Sequence, residues 1–365
     1  KAMAKGASVD KLAAEFADEL DTLGVRVAKL ESKADAVKIT GEVRYNYVDY
    51  TENSIIGKHS INDNDLRTRI WLRGAVNDDW TYTGMLENIQ CFRNESGEED
   101  TDFQRAYVEG KLGGVNVLAG RYNAFLVNGN LYDTRADGVE LSYGKDVKVT
   151  GFYMKPTDQD GYFGSDESYN NYLEYKHAYG VKVDSAIGVV GTTVSYTVFN
   201  DGVDSLYKTG IDKAFGSIPQ EDNKIWNIGI KFDVTKDLKL TADYLKSDLD
   251  ALSISNNQYL GLPDDDGYIV SLSYKGAKAS EPGSYGIYTN YYDQARGTVI
   301  AHTMNAYYGC WGFKGYMIGV NYTLAKNIVA ALEWYDLKAK HLTHQNGSTP
   351  DVDMETLWTQ VVFTF

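Results

Sequence analysis

The stretch KIWNIGIKFDVTKDLKLTADYLKSD, residues 224–248, decides the fold. Apolar side chains occupy every second position over 226–234, and the alternation resumes over 238–244. Because successive side chains of a β-strand point to opposite faces, each half predicts a strand with one apolar and one polar face. Residues 236–237 predict a short turn between the halves, so the stretch is interpreted as a β-hairpin.

The same alternation continues along most of the chain. Sixteen segments carry it, near 39–50, 64–77, 80–92, 101–112, 115–122, 137–144, 147–156, 169–181, 187–200, 224–235, 238–248, 266–275, 284–293, 311–324, 328–338 and 353–365. Short turns alternate with long polar loops, about 51–63, 93–100, 123–136, 157–168, 201–223, 249–265, 294–305 and 339–352. An even number of strands with this rhythm is typical of bacterial outer-membrane barrels. Residues 39–365 therefore predict an all-β fold, a 16-stranded antiparallel transmembrane β-barrel, with a soluble β-sandwich or propeller as the alternative.

The composition agrees with a membrane barrel and excludes several other classes. The chain has 365 residues, with 35 Gly and 29 Tyr but only 5 Pro and 2 Cys, so disulfide scaffolds and collagen-like repeats are excluded. The mean hydropathy of −0.39 suits strands that alternate lipid-facing and lumen-facing side chains. The net charge of −15 argues against nucleic acid as a partner.

Aromatic residues near the strand ends predict where the two membrane surfaces lie, because Trp and Tyr prefer the membrane–water interface. The positions expected to point outward and form the girdles are Trp80, Tyr122, Tyr143, Tyr244, Tyr268, Tyr274, Tyr285, Tyr322 and Trp334. The last segment, 357–365, alternates and stops on Phe365. A terminal Phe after such a strand resembles the insertion signal of outer-membrane barrels, which implies the barrel-insertion machinery as a partner.

Residues 1–38 follow a different period. Apolar residues recur at alternating spacings of four and three, which is the heptad pattern of a coiled coil. The seam positions are Val9, Ala13, Phe16, Leu20, Leu23, Val27, Leu30, Ala34 and Val37. The pattern predicts an N-terminal α-helical coiled coil and self-association, and a helix packed on its own domain is the alternative.

Three arginines, Arg67, Arg69 and Arg73, share one face of the second predicted strand. Like charges are tolerated there only beside water or carboxylates, so this face is assigned to an aqueous lumen. The residues expected to line the pore and its constriction are Arg44, Arg67, Arg69, Arg73, Arg105, Glu109, Lys111, Arg121, Asp133, Asp137 and Glu140, with Glu42 as a further acid. Bases facing acids across a passage would create a transverse field that filters solutes by charge. A solvated structural network without selectivity is the alternative.

The run RAYVEGKLGGVNVLAGRY, residues 105–122, resembles the strand–turn–strand of trimeric general porins, which ends on a Gly-Arg pair before an inward constriction loop. The resemblance implies that Arg121 marks the start of this loop. It also implies that residues 123–136 fold inward and narrow the pore.

The whole layout resembles the OmpM-type porins of didermic relatives of Gram-positive bacteria. It opens with a short basic segment and a heptad helix, and Thr40-Gly41-Glu42-Val43-Arg44-Tyr45 then begins the barrel. In that family an S-layer-homology (SLH) domain precedes the coiled coil and grips peptidoglycan. The resemblance implies a homotrimeric pore in the bacterial outer membrane, among lipid and lipopolysaccharide, with the helix in the periplasm. The SLH domain is expected to be missing from this sequence apart from a tail in Lys1–Ser8, so binding to peptidoglycan is expected only through the missing domain.

The expected function is passive diffusion of small hydrophilic solutes and ions, together with tethering of the outer membrane to the cell wall in the full-length protein. A substrate-specific channel and a primarily structural tether are the alternatives. The sign of ion selectivity stays open, because the arginine face favours anions and the overall charge favours cations. An enzyme is not expected, since no Gly-x-Ser-x-Gly motif occurs and four of the five His lie in predicted loops. No cofactor is expected, although Asp63, Asp65 and the run Asp264–Asp266 suggest calcium in outer loops.

Overall fold

The computed structural model describes residues 16–17, 37–54, 57–92, 100–157, 173–204, 218–219, 221–255, 258–262, 264–308, 312–340 and 352–365. The predicted coiled coil lies outside these residues, except that Phe16 is helical and exposed. Val37, a predicted seam residue, instead begins the first strand and pairs with Gly74. The first strand therefore begins two residues before the predicted start of the barrel at residue 39.

Sixteen strands form the wall. They are β1 (Val37–Ser54), β2 (Gly57–Ala75), β3 (Trp80–Cys91), β4 (Thr101–Leu112), β5 (Val115–Leu126), β6 (Tyr132–Tyr143), β7 (Val147–Pro156), β8 (Leu173–Ile187), β9 (Val190–Asp204), β10 (Asn223–Asp233), β11 (Leu238–Ser247), β12 (Asp266–Lys275), β13 (Tyr285–Ala295), β14 (Gly312–Ala325), β15 (Ile328–Ala339) and β16 (Asp353–Thr364). Each pairs antiparallel with its neighbours in the chain, and β1 also pairs with β16. The predicted closed 16-stranded antiparallel barrel is confirmed.

Smaller elements lie in the connections. Two short 3₁₀ helices follow β5 and β13, at Val127–Gly129 and Arg296–Thr298. Ile218–Pro219 extends the pairing of β9, and Ala251–Ser255 pairs with Gln258–Gly261. No helix in the described part of the chain is long and apolar enough to cross a membrane.

The seam between β1 and β16 is closed by Phe365. Its backbone N–H donates to the Gly41 carbonyl at 2.9 Å, and the Gly41 N–H donates to the Phe365 carbonyl at 2.8 Å. The Phe365 ring fills the space that a side chain at Gly41 would need. A closed seam leaves no open sheet edge, which a bilayer requires because lipid offers no hydrogen bonds.

The outward face carries aliphatic residues between two aromatic rows. On the strands from β6 to β15, exposed aromatic residues form two rows. Those toward the loop ends are Tyr153, Tyr179, Trp226, Tyr244, Tyr268, Tyr291 and Tyr316, and those toward the turn ends are Tyr143, Tyr274, Tyr285 and Tyr322. The prediction that Tyr122 lies in a girdle is wrong, since its side chain points inward and is only 2 % exposed.

The buried core lies inside the barrel, near the loop ends of the strands. Inward side chains of β7 to β15 supply much of it, including Met154, Phe199, Leu245 and Phe313. The remainder comes from the connections after β5 and β13, which fold into the lumen.

Two predicted loops are largely strand. The interval 51–63 continues the pairing of β1 with β2 as far as Ser54↔Gly57, so it is a hairpin end instead of a long loop. The interval 123–136 is also mostly paired, because β5 and β6 remain in register up to Leu126↔Tyr132. Only residues 127–131 lie outside regular pairing there.

Candidate pore constriction

The β5–β6 hairpin leaves the barrel wall partway along its length. Pairing of β4 with β5 ends at Ala106↔Arg121, although β4 runs on toward its start beside β3. Pairing of β6 with β7 ends at Ala136↔Pro156. Residues 122–136 are here named the inner hairpin. Apart from Ala136 at its base, they pair with neither β4 nor β7, so the hairpin is free to turn into the lumen.

Two glycines face each other where the inner hairpin departs. Gly120 pairs with Gly138, and Gly120 has a φ of +125°. A Cβ at Gly120 would lie 2.8 Å from the Tyr107 Cα, and one at Gly138 would lie 2.7 Å from the Met154 Cα. Such contacts are too short for a side chain, so glycine at both positions lets the hairpin bend against its neighbours.

The tip of the inner hairpin, residues 127–131, reaches the far wall. The Asn128 side-chain amide donates to Asp243 Oδ2 on β11 at 2.8 Å. The Gln294 side-chain amide on β13 donates to the Asn130 carbonyl at 3.1 Å. Strands β7 to β10 lie between this hairpin and β11 along the wall, so the tip crosses the lumen.

A second connection, residues 296–308 and here named the inner segment, runs beside the hairpin. Tyr132 and Ala301 form a parallel bridge. The Ala301 N–H donates to Leu131 O at 3.0 Å, and the Asp133 N–H donates to Ala301 O at 2.8 Å. This interval was expected to be an outer polar loop, and that expectation is wrong. Its apolar run Val299-Ile300-Ala301 is the signal that could have revealed it.

The inner hairpin has two unlike faces. Tyr122, Ala124, Leu126, Tyr132 and Ala136 form its packed face, and all are at most 5 % exposed. The opposite face carries Asn123, Phe125, Asp133 and Arg135, and Phe125 is 49 % exposed. The packed face covers the apolar core, and the open face is left for polar contacts.

The open face is linked to the wall through Arg105. This residue lies opposite Met85 of β3, which is fully buried. The Arg105 guanidinium donates to Asn123 Oδ1, and the Asn123 amide donates to Asp133 Oδ1 at 2.7 Å. The structure thus brings the predicted pair Arg105 and Asp133 to the two ends of one hydrogen-bonded chain.

The wall beside this chain carries a compact group of charges. Arg67 lies 2.8 Å from Glu42, and Arg69 lies 2.5 Å from Glu87 and 3.6 Å from Glu42. These four side chains are only 10–25 % exposed. The arginines are therefore compensated by carboxylates on adjacent strands, and not by acids across the passage as expected. Glu87 was missed because the register of β3 against β2 is not visible in the sequence.

Two predicted pore-lining residues lie elsewhere. Arg121 and Asp137 pair across β5 and β6, with hydrogen bonds of 2.7 and 2.9 Å, and both are half exposed. They alternate with the inward Tyr122 and so take the outward face. The two-residue turn Gly113–Gly114 already implies this outward placement. It pairs the odd-numbered residues of β4, which point inward, with even-numbered residues of β5, so the odd-numbered Arg121 points outward.

The remaining predicted residues occupy different levels of the lumen. Arg44 is 7 % exposed and lies over the Trp358 ring at 5.3 Å. Arg73 pairs with Glu109 at 2.7 Å nearer the turn ends. Glu140 points inward opposite Phe152, and Lys111 ends β4 on the inward parity.

Among the described residues, no group of three or more His, Cys, Asp or Glu could hold a metal ion. Two of the predicted calcium ligands form ion pairs with lysines. Asp264 lies 3.2 Å from Lys340, and Asp265 lies 2.6 Å from Lys246. Calcium in the outer loops stays a prediction.

Comparisons with known proteins identify the fold. No protein-family model matches the chain, and no curated protein matches it. Solved structures do match: a five-substitution variant of the Rhodopseudomonas blastica porin and a triple mutant of that porin each have a TM-score of 0.50 at 14% identity, covering 90% of this chain and 100% of theirs. A structure titled for the asymmetric conductivity of engineered proteins matches equally. At this identity the likeness establishes a porin-like barrel fold.

Proposed function

We propose that this protein is a porin of the bacterial outer membrane that lets small hydrophilic solutes and ions diffuse passively. The observation that carries the proposal is the inner hairpin, which enters a closed barrel and presents a polar face to a charged wall. Arg105, Asn123 and Asp133 mark where wall and hairpin meet. Fixed charges at a narrow point act on ions that have lost part of their water.

The charge arrangement supports a general pore with weak selectivity. Arg67 and Arg69 are balanced by Glu42 and Glu87, so this group adds little net charge. A paired cluster supplies local dipoles instead of a strong attraction for one sign. Nothing in this arrangement requires a chemical step on the solute, and an enzyme is not proposed.

A homotrimer is part of the proposal. Outward positions on β3 to β5 include the small residues Gly84, Ala106 and Ala119, and the ion pair Arg121–Asp137 lies beside them. Small side chains and a charged pair suit contact with another protein better than contact with lipid tails. The strands from β10 to β15 carry the continuous apolar belt and would face lipid.

The other expected roles remain proposals carried by the sequence. They are contact with lipopolysaccharide, recognition of the strand ending at Phe365 by the insertion machinery, a periplasmic N-terminal coiled coil, and attachment to peptidoglycan through an SLH domain in the intact protein. None of the described residues is assigned to wall binding.

Single-channel recording of the purified protein in a planar bilayer with a salt gradient tests the proposal. We expect steps in groups of three, a conductance that rises linearly with salt, and a small reversal potential. A conductance that saturates, or is blocked by one class of solute, would indicate a substrate-specific channel instead. Absence of current would reject the pore and favour the structural tether.

A further inference from the structure

We propose that the inner segment, residues 296–308, is a brace that holds the inner hairpin in place and thereby sets how often the channel closes. This inference rests on the proposed pore function and adds a second structural part to the constriction. Its positioning residues are Gln294 and Asn305, which act through other groups and need not touch the solute.

Gln294 joins three parts of the molecule. It lies on the wall strand β13 and is fully buried. Its amide nitrogen donates to the carbonyl of Asn130 at the hairpin tip, at 3.1 Å, and to that of Thr298 in the inner segment, at 3.2 Å. One side chain therefore fixes wall, hairpin and segment relative to each other.

The carbonyl oxygen of Gln294 is also used. His302 Nδ1 accepts the Met304 N–H at 3.0 Å, so the ring proton resides on Nε2. His302 Nε2 then donates to Gln294 Oε1 at 3.0 Å. All strong hydrogen-bonding atoms of the Gln294 side chain are engaged, which is what a buried amide requires.

Asn305 anchors the other end of the segment. Its side-chain amide donates to Glu333 Oε2 on β15 at 2.9 Å, and its backbone N–H donates to the Tyr335 hydroxyl at 3.2 Å. Tyr335 in turn donates to the same carboxylate oxygen at 2.6 Å. Glu333 is only 8 % exposed, so this anchor is shielded from bulk water.

Between these two anchors the inner segment donates hydrogen bonds to backbone carbonyls of the inner hairpin. The N–H groups of Ile300 and Ala301 donate to Leu131 O, and that of Thr303 donates to Gly129 O at 2.9 Å. Without the segment the carbonyls of Leu131 and Gly129 would lose these partners, and the tip would be held to the far wall mainly by the Asn128–Asp243 and Gln294–Asn130 hydrogen bonds. A tip attached at fewer points would leave its position more often.

The test compares variants that break the brace with a matched control. Gln294→Met keeps the size of the side chain and removes its hydrogen bonds, and Asn305→Ala removes the bond to Glu333 Oε2. Tyr288→Phe is the control, because the Tyr288 hydroxyl donates to the other oxygen, Glu333 Oε1, at 2.8 Å and belongs to the wall. We expect closures to become at least about fivefold more frequent in the two brace variants, as the loss of about one net hydrogen bond implies, and unchanged in the control.

Amide exchange followed by mass spectrometry gives a second readout that does not depend on current. In the full chain we expect exchange over 129–133 to quicken by about the same factor in Gln294→Met, with exchange in β1 to β4 unchanged. Equal closure rates and equal exchange in parent and variants would overturn the brace. If the parent carries no current, the proposed pore fails and the exchange result alone decides whether the brace exists.

Discussion

Two sectors of the same lumen differ sharply. Along β1 to β3 the inward side chains include Arg67, Arg69, Glu42 and Glu87, which form ion pairs with one another. Along β7 to β14, near the loop ends, the inward side chains include the aromatic and aliphatic residues of the buried core, together with buried polar residues such as Asp243 and Gln294. Both sectors obey the same alternation of faces, so the strand pattern alone does not decide which one holds water.

The inner hairpin accounts for the difference. Its packed face completes the apolar sector, and its open face meets the charged sector through Arg105. Burying apolar surface stabilises the core by about 25 cal/mol per Å², while charges stay beside the remaining water because their desolvation is costly. One bent hairpin thus divides the lumen into a structural part and a part open to solutes.

The largest expected effect comes from preventing the bend. Gly120→Val places a side chain within 3 Å of the Tyr107 backbone in a left-handed conformation, and we expect a loss of about 3 kcal/mol or more in the free energy of unfolding. Gly151→Val on β7 is the control, because no atom lies within 4 Å of its Cβ position. Urea titration of the refolded barrels measures both, and equal stabilities would mean that the hairpin does not depend on this glycine.

The two hairpin faces themselves form the next comparison. Leu131 at the tip is 1 % exposed, and Leu131→Ala should cost about 2–5 kcal/mol through the cavity it leaves. Phe125→Ala, at a position that is 49 % exposed, should cost less than about 1 kcal/mol. Thermal unfolding followed by circular dichroism tests the order, and a reversed order would show that the packed face is not the one that stabilises the hairpin.

The charged sector should control selectivity more than stability. Glu87→Gln removes the negative charge 2.5 Å from Arg69, and we expect permeability to shift toward anions by roughly two- to fivefold. Glu109→Gln should shift it less, since its pair with Arg73 is 36–61 % exposed and better screened. Reversal potentials in a salt gradient give both ratios. A shift toward cations in Glu87→Gln would contradict this assignment of the wall charges.

The smallest expected effect is a dependence on pH. Burial lowers the pKa of His302 from 6.5 to about 3, so the unfolded chain binds more protons than the folded one between these values. The contribution of the neutral His302 ring to the free energy of unfolding has its full value above about pH 6.5 and is lost as the pH falls toward 3. Closures should become a few-fold more frequent from pH 7 to pH 5. His302→Gln should respond less, and an identical pH response would exclude His302 as the cause.

The sequence predicted the wall well because alternation and turn length are local properties. Sixteen strands, the inward Arg67 and Arg69, and the closed sheet all follow from period two and the need to remove edges. The inner hairpin was located near the right residues through the resemblance to general porins. It was predicted as a loop because it contains polar residues such as Asn123 and Asp133, although these residues lie in paired strands.

The rest depended on long-range contacts. The brace was missed. The apolar run Val299-Ile300-Ala301 indicates that this segment is buried, but it does not show that its contacts are with the inner hairpin. Glu87 was missed because strand register sets its position beside Arg69. Arg121 was assigned to the wrong face even though the turn at Gly113–Gly114 contained the information, and counting pairs across that turn would have corrected it.

The bonds at the hairpin tip also bear on the order of assembly. Asn128 and Asp243 are 115 residues apart, and Gln294 and Asn130 are 164 residues apart. Contacts of such separation form late, because the chain between them must first be ordered. Neighbouring strands of the wall can pair as hairpins well before then. Placement of the inner hairpin is therefore a late event in folding. A barrel that closes its wall before this step would have a wider lumen than the folded protein.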